Sequence, residues 1–309
     1  VSVTVLTGGV GGAKLVLGLS HAISGFGITA IVNTGDDFVH LGLHVSPDID
    51  TLLYTLSGKA NAAQGWGRED ETWKFMKAVR SLGGADWFKL GDGDLALHVL
   101  RTTRLAAGES LSSITADFAA QWGVSTDIIP MSDDAVATEV ETDEGRLAFQ
   151  DYFVRRQCAP NVKAVRFAGA SVAKPAPGVF EAITGAGVEA ILIAPSNPFL
   201  SVDPILAVPG IRKALAEAHA PIVAVSPLIG GEAVKGPTAK MMRELAMPVT
   251  AASVAAHYAD VIDAILIDER DPPERLDLPH ARADTLMVTL QDRVRVGRAA
   301  LDLAAAVRR

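Results

Sequence analysis

An alternating run, Val1-Ser2-Val3-Thr4-Val5-Leu6, passes directly into Thr7-Gly8-Gly9-Val10-Gly11-Gly12-Ala13-Lys14 and then into an apolar-periodic segment with Leu15, Leu17, Gly18 and Leu19. Strand, glycine turn and helix in that order form the local architecture that holds a phosphate. Glycines let the main chain come close to a ligand and supply positive φ without a side-chain clash. The helix N-terminus adds unpaired N–H donors and a partial positive charge. The turn matches neither familiar fingerprint. Read as G-x-G-x-x-G from Gly9 and Gly11, it has Lys14 at the third glycine position. Read as a Walker A loop from Gly8, it has Ala13 for a glycine and Leu15 for the metal-binding Ser or Thr. It predicts a nucleotide or phosphate loop of another kind, with tight strand–helix packing as the plainer alternative.

Further strands are expected at 28–32, 164–167, 190–194, 221–225 and 261–267. Several, such as Ala190-Ile191-Leu192-Ile193-Ala194, are unbroken apolar runs, the mark of strands buried on both faces of a parallel sheet. Helical patterns fall between them, for example at 210–220 and 238–246. The rhythm predicts an α/β fold: a doubly wound, Rossmann-like, mostly parallel sheet. The stretch 57–150 breaks that rhythm, with helical segments near 68–82 and 109–122 and a hairpin turning at Asp143-Glu144-Gly145. It reads as an inserted, mainly helical cap or substrate subdomain over the mouth of the sheet. Residues 1–56 plus 151–309 then form the nucleotide-binding core, closed by an alanine-rich helix at 291–309.

Composition narrows the partners. Asp and Glu outnumber Lys and Arg by 36 to 28 among 309 residues, and the net charge of −8 argues against a general nucleic-acid binder. Cys158 is the single cysteine, so no disulfide forms within the chain, which suits a reducing cytoplasm. No apolar run approaches the ~20 residues of a membrane span. No basic n-region of a signal peptide precedes the first strand. The expectation is a cytoplasmic protein that binds neither nucleic acid nor membrane.

The second strand runs out at Asn33-Thr34-Gly35-Asp36-Asp37. Side chains just past strand C-termini line the ligand crevice of a doubly wound sheet. Two adjacent acids there, with Asp48 and Asp50 close by in Ser46-Pro47-Asp48-Ile49-Asp50-Thr51, point to a metal. A D-x-D pair in extended conformation aims both carboxylates the same way. Oxygen ligands beside a phosphate loop favour Mg²⁺. The bland reading is a turn at 36–37 and a helix cap at 50–51. His40 and His44 have zinc spacing only if helical, and their surroundings read as a loop. Asp92 and Asp94, and likewise Asp133 and Asp134, read either as site acids or as helix caps. The small polar loops at 195–198 and 226–231 sit at the sheet edge where ligands bind, and the helix start near Lys240 reads either as a nucleotide contact or as a helix start with no ligand. Trp66 and Trp73 either stack on a flat heterocycle or pack the cap. No G-x-S-x-G, catalytic cysteine motif or H-E-x-x-H occurs, which leaves metal-assisted transfer at a phosphate.

These segments, in their order and number, resemble the 2-phospho-L-lactate transferase family of coenzyme F420 biosynthesis, often called CofD or FbiA. The match runs through 8–14, 33–37, 46–51, Gly65-Trp66-Gly67, Asp70-Glu71-Thr72-Trp73, Leu90-Gly91-Asp92, Pro130–Asp134, Phe149-Gln150, Ala194–Pro198, Val208-Pro209-Gly210 and Ala283–Met287. The resemblance implies a joining reaction. The terminal ribityl hydroxyl of the deazaflavin alcohol Fo attacks the phosphorus bearing lactate, enolpyruvate or glycerate in a guanosine diphosphate ester, and GMP leaves. It also implies Mg²⁺ and a homodimer. Carried over, Asp37 and Asp48 hold the metal, and Asp36 and Asp50 are second ligands or orient the attacking hydroxyl. Gly8, Gly9, Val10, Gly11, Gly12 and Lys14 meet the phosphates. Ser196, Asn197, Ser226 and Gly230 hold the guanosine diphosphate part, and Trp66 faces the deazaflavin. Asn33, Thr51 and Asp92 complete the expected substrate-binding set. The family usually reads Gly-Asp-Arg-Asp where this chain reads Gly91-Asp92-Gly93-Asp94, and Ala-Thr-His where it reads Ala96-Leu97-His98. That arginine is associated with Fo, so either Arg101 or Arg104 substitutes for it, or the acceptor differs, Fo binds weakly, or the chain is a divergent member. A non-enzymatic, nucleotide-sensing regulator on the same scaffold is the competing class. The acid cluster favours catalysis, and the failed G-x-G-x-x-G speaks against an NAD dehydrogenase.

Overall fold

The unbroken apolar runs become the inner strands of one sheet. The computed structural model describes residues 1–308 apart from Ser24, Phe26 and Lys235; Arg309, at the end of the expected closing helix, lies outside the described residues. In chain order the strands are β1 (Ser2–Thr7), β2 (Gly27–Val32), β3 (Phe38–His40), β4 (Leu43–Val45), β5 (Asp127–Pro130), β6 (Ala137–Thr142), β7 (Gly145–Ala148), β8 (Val162–Ala168), β9 (Val188–Ile193), β10 (Ile222–Val225), β11 (Leu228–Ile229), β12 (Glu232–Ala233), β13 (Ala264–Asp268) and β14 (His280–Ala283). The helices are α1 (Gly9–Ala22), α2 (Pro47–Leu56), α3 (Lys74–Ser81), α4 (Asp92–Ala106), α5 (Leu111–Gln121), α6 (Val179–Thr184), α7 (Asp203–Ala207), α8 (Ile211–Ala216), α9 (Thr238–Glu244), α10 (Ala251–His257) and α11 (Leu290–Ala306).

Seven of the described strands form the central sheet, in the order β14-β13-β10-β9-β1-β2-β5. Every neighbouring pair in it is parallel. The doubly wound α/β expectation is met. Side chains alternate between two cores with the strand period of two. In β9, Ile191 and Ile193 enter one core, while Ala190 and Leu192 enter the other with Val3, Val5 and Val223. The second core lies beneath α1 and α11, which pack on each other. The strand order runs outward in both directions from β1. The β1/β9 boundary is therefore the topological switch, and the crevice beyond its C-terminal ends is where such sheets bind ligands.

Two expectations are corrected. Residues 57–150 are not wholly inserted, because β5 pairs with β2 in the central sheet and α5 is the crossover that leads to it. The segment that departs from the sheet lies between α2 and α5. The strand expected at 164–167 does form as β8, but it pairs antiparallel with β6 in a separate sheet, β7-β6-β8. Lys163 and Arg166 on β8 explain this, since charges on both sides of a strand cannot sit inside a sheet covered on both faces. Among the described residues no helix is long and apolar enough to cross a membrane.

Candidate functional site

A cleft of about 580 Å³ opens over the C-terminal ends of β1, β2, β9 and β10. The core supplies Gly8, Gly9, Val10, Gly11 and Lys14 after β1, Asp36 after β2, and Asp48, Asp50 and Thr51 from α2. Ser196 and Asn197 follow β9, Ser226 follows β10, and Thr285–Met287 follow β14. The cap side supplies Trp66, Phe88, Asp94 and His98, and the π-helical turn Asp151–Arg155 supplies Phe153. Thirteen of the eighteen residues expected at the site line this cleft. Gly12, Asn33, Asp37, Asp92 and Gly230 were expected at it and do not line it.

The glycine turn is stitched to its surroundings. Gly8 caps α1 in extended conformation, and its carbonyl accepts a bond from Ser196 Oγ at 2.7 Å. The Gly9 N–H donates to Asp48 Oδ1 at 2.7 Å, and Asn33 Nδ2 donates to Asp48 Oδ2 at 2.9 Å. Lys14 Nζ donates to the Met287 carbonyl at 2.8 Å. Asn33 is therefore a buried brace for Asp48. Gly12 serves packing: a Cβ there would overlap the Thr7 hydroxyl and come within 2.9 Å of Ser196 Oγ. Gly8–Gly11 face the cleft, and Gly12 closes the strand–helix contact.

The four acids part company. Ser46 caps α2 and Pro47 opens it, so Asp48 and Asp50 lie in its first turn rather than on an extended segment. They point apart. Asp48 meets the glycine turn. Asp50 turns to α4, where Arg101 grips it through Nη1 at 3.2 Å and through Nη2. Arg101 is fully buried, and Asp50 beside it more than reverses the downward push of burial on its pKa. Asp50 thus meets a protein cation while it still lines the cleft. Asp37 accepts from Ser46 Oγ at 2.7 Å and pairs with His44 Nε2 at 3.1 Å, behind the cleft wall.

Two oxygens of this set stay orphaned: among the described residues, Asp36 Oδ1 and Asp37 Oδ1 are buried without a hydrogen-bond partner. Burial pushes the Asp36 carboxyl well above the usual range, and the nearby Asp48 charge adds to this. Burial also raises Asp48 to about 6, against the pull of Asn33 and Gly9 and with help from Asp37 and Asp50. Asp37 is raised by burial, with His44 and Ser46 opposing. Such a set favours an added cation. Among the described residues, no three His, Cys, Asp or Glu side chains converge to close a metal site by themselves. A hard cation bound by one or two carboxylates, with water and substrate oxygens, is compatible with that arrangement.

Other candidates are structural. Asp92 caps α3, accepting from Thr72 Oγ1 and from Phe75 N at 3.1 Å. Asp133 holds Ser112, and Asp134 holds Lys174 N. His40 and His44 lie on the β3–β4 hairpin, with His40 packed among Phe38, Trp87 and Phe88, so no helical zinc pair exists. Gly230 forms the β11–β12 turn at φ +62°. Lys240 binds Glu244 and the Pro160 carbonyl, away from the cleft. Neither expected stand-in for an arginine at 93 serves, since Arg101 is buried on Asp50 and Arg104 binds Glu109 and Asp117. The space beside Gly93 is filled by the Arg68 guanidinium, while Glu71 accepts from Gly93 N and Asp94 N. Trp66 stands at the rim, 47% exposed, with Trp73 beside it at 6.5 Å between ring centroids. Tyr54, His98 and Phe153 reach the wall without having been singled out.

Comparison with known proteins follows the same line. Residues 3–303 match the family model described as 2-phospho-L-lactate transferase CofD. A phosphoenolpyruvate transferase of Streptomyces griseus subsp. griseus is 44% identical over 317 residues, covering 99% of each chain. That of Streptomyces coelicolor is also 44% identical, with 99% of each chain covered. A 2-phospho-L-lactate transferase of Methanosarcina mazei is 38% identical over 292 residues, covering 93% of this chain and 95% of its own. A solved structure of a upf0052-family protein from Bacillus halodurans shares the fold at a TM-score of 0.64 and 18% identity, over 97% of this chain and 98% of that one.

Proposed function

This chain belongs to the 2-phospho-L-lactate transferase CofD family and is an enzyme of that transferase type, and we propose that it moves a phospho-(organic acid) group from a guanosine diphosphate ester to the terminal ribityl hydroxyl of Fo, releasing GMP. The observation that carries this reading is one cleft in which a helix-opening glycine turn stands beside the buried acids Asp36 and Asp48, both with raised carboxyl pKa. A diphosphate ester brings negative charge, and those acids tolerate it only with a cation between. The orphaned Asp36 oxygen and the raised Asp48 fit Mg²⁺, with Asp37 behind them. When bound, Mg²⁺ supplies charge neutralisation at the transferred phosphate and its leaving oxygen. The chain's own residues position the partners. The α1 N-terminus faces the phosphate, Ser196, Asn197 and Ser226 hold the guanosine diphosphate side, and Trp66 and Phe153 flank the deazaflavin. Transfer of this kind needs mainly alignment and neutralisation, so no dedicated base is required.

Phosphoenolpyruvate transferases among the relatives run from 38% to 44% identity and the 2-phospho-L-lactate transferases stand at 38%; the Streptomyces enzymes at 44% make an enolpyruvyl donor the first to test. The proposal includes a homodimer and a cytoplasmic setting, which rest on the family resemblance and the single cysteine. The test is incubation with Fo, Mg²⁺ and each ester of lactate, enolpyruvate and glycerate, followed by mass analysis. An F420-0-type product with GMP is expected, and its absence with every donor refutes the reading. Asp48→Asn should abolish turnover in a folded protein.

A further inference from the structure

His98 stands at the cap end of the cleft, 1% exposed, with no role in the reading above. The charged or titratable groups facing it are Arg101, Asp50 and Asp94, with Tyr54 bonded to Asp94 from the far side. Its Nδ1 lies 3.4 Å from Arg101 Nη1. A guanidinium only donates, so Nδ1 accepts there and the ring proton belongs to Nε2. Asp50 does not compete for Nδ1. It is 3.7 Å away, beyond hydrogen-bond reach, and both its oxygens already accept from Arg101. Nε2 is 3.2 Å from Asp94 Oδ1 but misaligned on it, and remains a buried ring nitrogen without a hydrogen-bond partner in a residue that lines the cleft. The Tyr54 hydroxyl donates to Asp94 Oδ1, and Asp94 lines the cleft beside Nε2.

We infer that His98 serves the cleft as a hydrogen-bond donor through Nε2–H, that Arg101 is the positioning residue fixing this tautomer, and that His98 and Asp94 together bind a ligand group presenting an acceptor beside a donor. The identity of that group rests on the acceptor named under Proposed function. Fo carries it in two places, as a ribityl hydroxyl and as the imide edge of its ring. His98 then orients Fo and takes no proton from it. A base role would need Nε2 bare, which the Arg101 contact opposes.

Two measurements test this independently. In protein labelled with ¹⁵N-histidine, long-range ¹H–¹⁵N correlation reports which ring nitrogen is protonated, with the His98 signal assigned by its loss in His98→Gln. A bare Nδ1 and protonated Nε2 are expected in the metal-free protein. A protonated Nδ1, or an imidazolium at pH 7.5, overturns the inference whether or not Fo is the substrate. Calorimetric titration with Fo then compares variants. The Gln amide N–H replaces Nε2–H, whereas Asn reaches only the Nδ1 position. His98→Gln should bind within about threefold of the parent, and His98→Asn and His98→Ala about tenfold more weakly. Gln as weak as Ala overturns the donor role. Ribitol and a deazaflavin without the ribityl chain separate the two sources, since only the one contacting His98 loses affinity in His98→Ala. Failure of Fo to bind the parent protein refutes the acceptor reading and leaves the tautomer result standing.

Discussion

Acid should stabilise the metal-free protein, and Asp48 sets a measurable part of the gain. Its carboxyl is moved from an ordinary 3.8 to about 6, chiefly by burial. At about 1.36 kcal/mol per pKa unit, the ionised form carries a penalty of about 3 kcal/mol at neutral pH. Between about pH 4 and 6 the native state holds a proton that the unfolded chain has released, so the unfolding free energy falls as pH rises through that window. The stabilisation is complete below 3.8 and lost above about 6. From pH 7.5 to pH 5, Asp48 alone contributes about 1.5 kcal/mol of gain. Asp36 shifts in the same direction and leans on the Asp48 charge. Urea unfolding in chelator at pH 5, 6 and 7.5, for the parent and Asp48→Asn, measures this. The slope with pH is the readout. Absolute stability is less informative, because Asn33 Nδ2 faces Asp48 Oδ2 and the variant sets donor against donor there. The parent should gain at least about 1.5 kcal/mol more than the variant on acidification. Parallel curves would refute the reasoning. Millimolar Mg²⁺ at pH 7.5 should raise the parent's midpoint and leave the variant's unchanged, by linkage of binding to the native state.

Arg101→Met should cost about 3–5 kcal/mol, because it strands Asp50 as a buried charge without its partner, and thermal unfolding will report it. Gly12→Ala should lose about 1–3 kcal/mol through overlap with the Thr7 hydroxyl, seen as a lower urea midpoint with unchanged m-value. Trp66→Ala should weaken Fo binding about tenfold in calorimetry while shifting stability by under about 1 kcal/mol, since the ring stands half-exposed at the rim.

The sheet was legible because buried parallel strands announce themselves as apolar runs, and β9 is the clearest case. β5 was not, for Asp127-Ile128-Ile129-Pro130 is too short and too punctuated to stand out, and only its pairing with β2 gives it a place. The core half of the site was legible too, since position just past a strand end is a local property. The D-x-D reading failed despite a visible signal: Ser46 and Pro47 are a helix start, and a helix sends residues two apart in different directions. The rest depends on encounters no local pattern encodes. Asp50 and Arg101 are separated by 51 positions, and only the fold reveals that the fourth acid is already matched.

Lys14 reaches Met287 across 273 positions, and the Gly8 carbonyl reaches Ser196 across 188. A ribosome emitting this chain therefore delivers the glycine turn long before its anchors. β1 must wait for β9 as well, so for most of synthesis its flank is an open apolar edge. The cleft is among the last features such a chain can assemble. A chain stopped short of Met287 would carry the complete glycine turn without the carbonyl that fixes Lys14.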